Sequence, residues 1–161
     1  MRFTAKDVFP LYNSPGYLLN LATREINAHL ARAFKVKGYK VTPQQWGLLS
    51  KLWEKEGLHQ NELAAHAAKD RHNVARILVL MEKNGLIQRR PDQQDRRVHR
   101  VYLTETGRSL QPGLTSTVLE VLDQAFQGVN TGEVRRFNEI CRRVIANISH
   151  SRQAEKGDGS K

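Results

Sequence analysis

The chain has 161 residues, 39% of them hydrophobic, with 26 Lys and Arg against 16 Asp and Glu for a net charge of +10. That length supports one core with helices to spare, and the charge favours a polyanionic partner. No apolar run reaches the ~18 residues of a membrane span, the charged first ten residues do not resemble a signal peptide, and one cysteine excludes an internal disulfide and suits a reducing cytoplasm.

Residues 1–12 form a mixed lead-in with Phe3, Val8, Phe9, Leu11 and Tyr12 as packing groups. Ser14-Pro15 then opens a helix, with Ser as the cap and Pro at the first helical position. Leu19, Ala22, Ile26, Leu30 and Ala33 carry that helix to about Phe34. A basic loop spans 35–40. Thr42-Pro43-Gln44-Gln45 is a second start, with Gln45 at the reciprocal capping-box position. Trp46, Leu49, Leu52 and Trp53 bury the helix that follows.

The stretch 58–104 organises the rest. Leu63, Ala64 and Ala67 mark the apolar face of a short helix. Asp70 caps a longer one, whose inward stripe is Val74, Ile77, Leu78 and Met81, and Gly85 stops it. Residues 86–90 and 98–103 are rich in branched and aromatic side chains, as strands are. Pro91-Asp92-Gln93-Gln94-Asp95 between them is turn material. Helix, turn, helix and hairpin in this order make a winged helix-turn-helix, mainly α with a small β-hairpin wing.

The second helix of that unit starts with Arg71, His72, Asn73 and Arg76 pointing outward. Arg can pair with guanine and Asn with adenine in the major groove, so these types suit a recognition helix. The hairpin adds Arg89, Arg90, Arg96, Arg97 and Arg100. Between residues 69 and 100, nine Lys and Arg outweigh four Asp and Glu, leaving +5 of the chain's +10 in about a fifth of its length. A basic wing beside such a helix points to double-stranded DNA as the partner. Arg97 is the expected minor-groove anchor, with Asp95 orienting it. Asp92 and Asp95 are expected to hold arginines rather than to act as catalytic carboxylates.

Beyond the wing, Thr104 caps a helix that extends to about Gln127, kinked near Pro112-Gly113. Thr131 caps the last one. Val134, Phe137, Ile140, Cys141, Val144, Ile145 and Ile148 recur there at helical spacing, and such a stripe must be covered. The first and the last two helices are expected to build a layer separate from the winged-helix core, closed by a symmetric homodimer. Cys141, inside the stripe, is expected to be buried and inert. The division is then 1–36 and 104–150 as dimerisation helices, 42–104 as the DNA-binding lobe, and 151–161 as a polar, disordered tail.

The motifs NELA, LMEKNGLIQR, DRR and LTETG, in this order and spacing, resemble those of the MarR (multiple-antibiotic-resistance regulator) family of winged-helix transcription factors. The family's Asp-x-Arg wing signature leading to Leu-Thr falls on Asp95, Arg97, Leu103 and Thr104. The resemblance implies a cytoplasmic homodimeric regulator, a repressor, that grips a palindromic operator and releases it on binding a small aromatic effector. It places that effector between the dimer layer and the winged helix, where Tyr12, Leu19, Arg24, His29, Tyr39 and Trp46 are the candidates. The chain departs from the pattern at His59, where a capping Ser or Thr is usual, and at Val79 and Leu80, where charges are usual. Two other readings remain: a regulator sensing oxidants through Cys141 or a metal through histidines, and a winged-helix protein-interaction module. No cofactor is implied, and no phosphate loop, nucleophile elbow or zinc-protease histidine pair suggests an enzyme.

Overall fold

In the computed structural model residues 3–66, 71–96 and 98–158 are described, for residues 66, 71 and 151–158 as backbone alone. The chain divides into two compact units, Met1–Leu122 and Asp123–Lys161.

The first unit opens with a short helix, α1 (Ala5–Val8), and a 3-10 turn at Leu11–Asn13. α2 (Pro15–Val36) has Pro at its start as expected, but Ser14 makes no side-chain capping bond. α3 (Pro43–Glu54) has the full capping box. Gln45 N–H donates to Thr42 Oγ1 at 3.2 Å and Thr42 N–H to Gln45 Oε1 at 3.0 Å, satisfying two otherwise orphaned donors. β1 (Leu58–His59), α4 (Gln60–His66), α5 (Arg71–Lys83), β2 (Ile87–Pro91) and β3 (His99–Leu103) follow.

The strands form an antiparallel sheet in the order β1-β3-β2. β1 was not expected. Its two residues pair with β3, Leu58 with Val101 and His59 with Arg100, a partnership more than forty residues away that no local pattern reports. The hairpin register sets Ile87 against Leu103 and Arg89 against Val101. Ile87, Val101 and Leu103 are buried, while Gln88, Arg90, Arg100 and Tyr102 alternate onto the outer face.

The core does not separate as expected. Leu30 and Phe34 of α2 join Leu48, Leu49 and Leu52 of α3, Leu63 of α4, Val74, Leu78 and Met81 of α5, and the sheet in one buried cluster. Leu114, Val118 and Val121 of α7 (Gln111–Ala125) belong to it as well. The winged helix is too small to cover its own apolar faces, so the helices before and after it complete the core.

Thr104 caps α6 (Glu105–Ser109) through Gly107 N–H at 3.0 Å. Instead of a kinked continuous helix, α6 ends and α7 begins afresh at Gln111, just before Pro112. The Pro ring lacks an N–H and would press on the carbonyl four residues back, so the chain restarts with Pro in the first turn, where no donor is needed. Gly107 permits a close crossing. A Cβ there would overlap the Leu86 carbonyl oxygen, and Trp53 Nε1 donates to the Gly107 carbonyl at 3.0 Å.

In the second unit α8 runs from Thr131 to Asp158. Asn130, not Thr131, is its cap: Asn130 Oδ1 accepts from Gly132 and Glu133 N–H at 2.9 and 3.0 Å, and Glu133 Oε2 accepts from Asn130 N–H at 2.9 Å. Asn is the stronger capping residue, and the reciprocal Glu lies three positions on. The helix passes His150 and covers most of the segment expected to be disordered. Arg152, Gln153, Ala154, Glu155 and Lys156 are strong helix formers with no proline among them, so the helix continues towards the glycines.

Candidate nucleic-acid interface

α5 presents two faces. Val74, Leu78 and Met81 are fully buried and Ile77 half-buried, whereas His72, Asn73 and Arg76 are exposed. Its end is a glycine stop. Gly85 has φ +69, its N–H donates to the Glu82 carbonyl, and Leu86 N–H donates to the Met81 carbonyl, both at 2.9 Å. Met81 and Leu86 are buried, as the hydrophobic partners of this motif are. The chain therefore leaves the helix in a fixed direction and enters β2. Asp70, the expected cap, and Ala67 lie outside the described residues, and Arg71 is described as backbone alone.

The wing is fastened to this helix and to the body by ion pairs. Glu82, in the last turn of α5, accepts from Arg89 N–H at 2.8 Å through Oε1, and from Arg89 Nε and Nη2 at 2.8 and 2.6 Å through Oε2. The Arg89 side chain beside it holds the Glu82 carboxyl below the usual carboxylate range. Asp92, only 7% exposed at the side chain, closes the hairpin. Its Oδ1 accepts from Gln94 and Asp95 N–H at 2.7 and 3.2 Å. Its Oδ2 accepts from Arg100 Nε, and His59 Nε2 stands 3.5 Å away. The Gln94 amide first, then the Arg100 guanidinium and the Asp95 amide, lower the Asp92 pKa to about 2; the same pairing raises that of Arg100. Arg100 Nη1 donates onward to the Gly57 carbonyl at 2.8 Å.

The five hairpin arginines are thus not equivalent. Arg89 and Arg100 are committed to carboxylates, and Arg90 lies 5.1 Å above the Tyr102 ring. Asp95 and Arg96 are exposed at the tip. Arg97, the expected groove anchor, lies outside the described residues. Asp92 was expected to orient arginines and does so; Glu82 was missed, because its partner lies on the far side of the Gly85 turn. At His59, Glu62 supplies the reciprocal half of a capping box: its Oε2 accepts from His59 N–H at 2.7 Å.

Residues 41–99, from the loop before α3 to the start of β3, match the MarR family. Over these residues the chain carries a winged helix-turn-helix of the MarR type. It is similar to the HTH-type transcriptional regulator YybA of Bacillus subtilis, 29% identical over 136 residues, covering 81% of this chain and 90% of that protein. The HTH-type transcriptional repressor IacR of Pseudomonas putida is 25% identical over 144 residues, covering 89% and 85%. A solved MarR-family transcriptional regulator from Silicibacter pomeroyi superposes with a TM-score of 0.73 at 28% identity, covering 91% of this chain and 97% of that one. The relatives and solved structures that it matches are transcriptional regulators.

The candidate effector residues sit in the first unit in different surroundings. Tyr12 is 63% exposed. Arg24 is exposed and pairs with Glu25 at 3.2 Å, and His29 Nδ1 lies 3.4 Å from Arg32 Nη2. Leu19 is half-buried. Tyr39 packs edge-on to Phe34, ring centroids 6.4 Å apart, with its hydroxyl over Gly113. Trp46 is half-buried, yet its Nε1 is fully buried with no acceptor among the described residues. A cleft of about 510 Å3 on the outer face of the wing is lined by other residues, among them Lys55, Glu56, Arg90 and Tyr102.

Along α8, Phe137, Ile140, Val144 and Ile148 are 41%, 49%, 42% and 52% exposed in the single chain. Val134 is half-buried, and Phe137 stacks obliquely on Phe126 at 6.3 Å. Cys141, expected to be buried, is half-buried here, on a stripe whose Ile140 and Val144 are exposed. Among the described residues no helix is long and apolar enough to cross a membrane.

Proposed function

We propose that this regulator is a repressor that binds a palindromic operator in double-stranded DNA as a homodimer and releases it on binding a small aromatic molecule. The observation that carries the DNA reading is the split of α5, with His72, Asn73 and Arg76 exposed over a fully buried Val74, Leu78 and Met81. A rigid helix presenting donors and acceptors from its first turns is what major-groove readout requires. Asp95 and Arg96 at the wing tip, with Arg97 next to them in sequence, then address the flanking groove, alongside Arg71 at the helix start. Residues 42–104 act as the DNA-binding lobe, and 1–36 and 104–150 supply the dimerisation helices. Repression is suggested by the name of the Pseudomonas putida relative.

Dimerisation is supported by the α8 stripe of Val134, Phe137, Ile140, Cys141, Val144 and Ile148, whose exposed Phe137, Ile140, Val144 and Ile148 make an apolar surface that water penalises until a second copy covers it. The effector reading is supported by Trp46: a buried indole N–H without an acceptor costs roughly 1–3 kcal/mol, and a ligand oxygen offers one. Tyr12, Leu19, Arg24, His29 and Tyr39 complete the proposed surroundings. The deciding experiment selects bound duplexes from fragments of the source genome, then titrates the selected duplex and a scrambled one at several salt concentrations. A preference for the selected duplex, with affinity falling steeply as salt rises, supports the reading; equal and weak binding of both overturns it. Aromatic acids added to the bound state should release the duplex and quench Trp46 fluorescence together.

A further inference from the structure

The exposed face of α5 is not wholly polar. Val79 and Leu80 are 49% and 53% exposed, in a helix whose Val74, Leu78 and Met81 are fully buried. Helical geometry fixes where they point. At 100° per residue, relative to Arg76, His72 lies at about −40°, Asn73 at about +60°, Val79 at about −60°, Leu80 at about +40° and Lys83 at about −20°. The two aliphatic side chains therefore share one strip with the polar ones and straddle the line of Arg76 about one turn further on. Asn73 and Leu80 are separated by about 10.5 Å along the axis, within the ~12 Å width of the major groove. Arg76 and Lys83 bracket the pair with positive charge, so a duplex held by this face covers it.

We propose that Val79 and Leu80 are specificity-determining residues that read thymine C5-methyl groups in the major groove, beside the base addressed by Arg76. This rests on α5 being the recognition helix. In that groove thymine alone among the bases presents a methyl group; cytosine carries only hydrogen at C5, beside its amino donor, and guanine presents two acceptors. An aliphatic side chain against the methyl removes both from water. Against a polar base edge it strips hydrogen bonds from the base and returns none. Val79 and Leu80 thus favour A·T pairs at the step they meet, at positions where charged side chains would add phosphate grip without sequence information.

The test replaces each thymidine of the selected operator by deoxyuridine, which removes only the methyl, and titrates the parent protein, Val79→Ser and Leu80→Gln. One or two thymidines per half-site should lose about fourfold in affinity on replacement. The variants should bind the thymidine duplex more weakly and no longer distinguish it from the deoxyuridine duplex at those positions. Both sites are exposed, and circular dichroism of the variants should match the parent. If every deoxyuridine is neutral while the parent still prefers its operator, the methyl reading is overturned and the recognition helix stands. If the variants change self-association and keep the deoxyuridine response, the pair contacts protein rather than DNA, which also overturns the proposal. Loss of any preference for operator over scrambled duplex by the parent would instead remove the recognition-helix reading itself.

Discussion

Asp92 and Arg100 join the two sides of the wing: Asp92 directly follows β2, Arg100 lies in β3, and its Nε donates to Asp92 Oδ2 while its Nη1 holds the Gly57 carbonyl at 2.8 Å. One guanidinium thus ties the turn of the wing to the chain entering β1. The two buried-face strands place the wing, but this pair sets how its tip leaves the sheet.

The pH response of the wing follows from that pair. The Asp92 pKa falls from 3.8 to about 2. A depressed folded-state value means that the ordered wing gains stability above the unfolded pKa and loses it as pH falls through the folded one. Wing order should therefore be constant at neutral pH and decline between about pH 4 and pH 2. Asp92→Asn should bring the same loosening at neutral pH. Amide exchange of Gln94 and Asp95, whose N–H groups donate to Asp92, reports it; unchanged protection in Asp92→Asn would show that the carboxylate charge does not order the turn.

Arg76 and Arg89 should separate binding from scaffolding. Arg76 is exposed on α5, while Arg89 spends its guanidinium on Glu82. Arg76→Ala should cost about 1–3 kcal/mol of operator affinity with little change in stability. Arg89→Ala should cost up to about 1 kcal/mol of stability, the range for partly exposed pairs, and a smaller loss of binding. Equal losses of operator affinity in the two variants, measured at matched salt, would contradict this division.

Gly107 and Gly47 give opposite outcomes for the same substitution. A Cβ on Gly107 would overlap the Leu86 carbonyl oxygen, whereas one on Gly47, inside α3, meets nothing within 4 Å. Gly107→Ala should destabilise by about 3 kcal/mol, at the upper end of overpacking costs. Gly47→Ala should stabilise by about 0.5–1 kcal/mol through helix propensity. Thermal or urea unfolding of the two variants checks both signs.

Ile140 and Val144 should govern assembly. They are 49% and 42% exposed in the single chain, and an Asp at either would be desolvated in a dimer. Ile140→Asp or Val144→Asp should yield monomers by light scattering, with operator affinity falling as both half-sites cease to be held together. A parent protein that is monomeric at micromolar concentration would contradict the dimer outright.

Much of this molecule was legible in its sequence, where the determining interaction is local. The Thr42–Gln45 capping box, the Gly85 stop with Met81 and Leu86, the inward stripe Val74-Leu78-Met81 and the hairpin across residues 86–103 all rest on contacts within a turn or two, or on strand alternation. The outward placement of Asn73 and Arg76 follows from the same periodicity. At α8 the local rule was applied one residue late, since Asn130 outcompetes Thr131 as a cap. What only the tertiary structure decided are the relationships that close long loops. Leu58 pairs with Val101, Trp53 donates to Gly107, α2 and α7 enter the winged-helix core, and Arg89 and Arg100 are drawn out of the basic surface by Glu82 and Asp92. Charge counts see five equal arginines in the hairpin. Which of them face a carboxylate depends on strand register and on the direction in which Gly85 releases the chain, and register is settled by which face of the hairpin is buried.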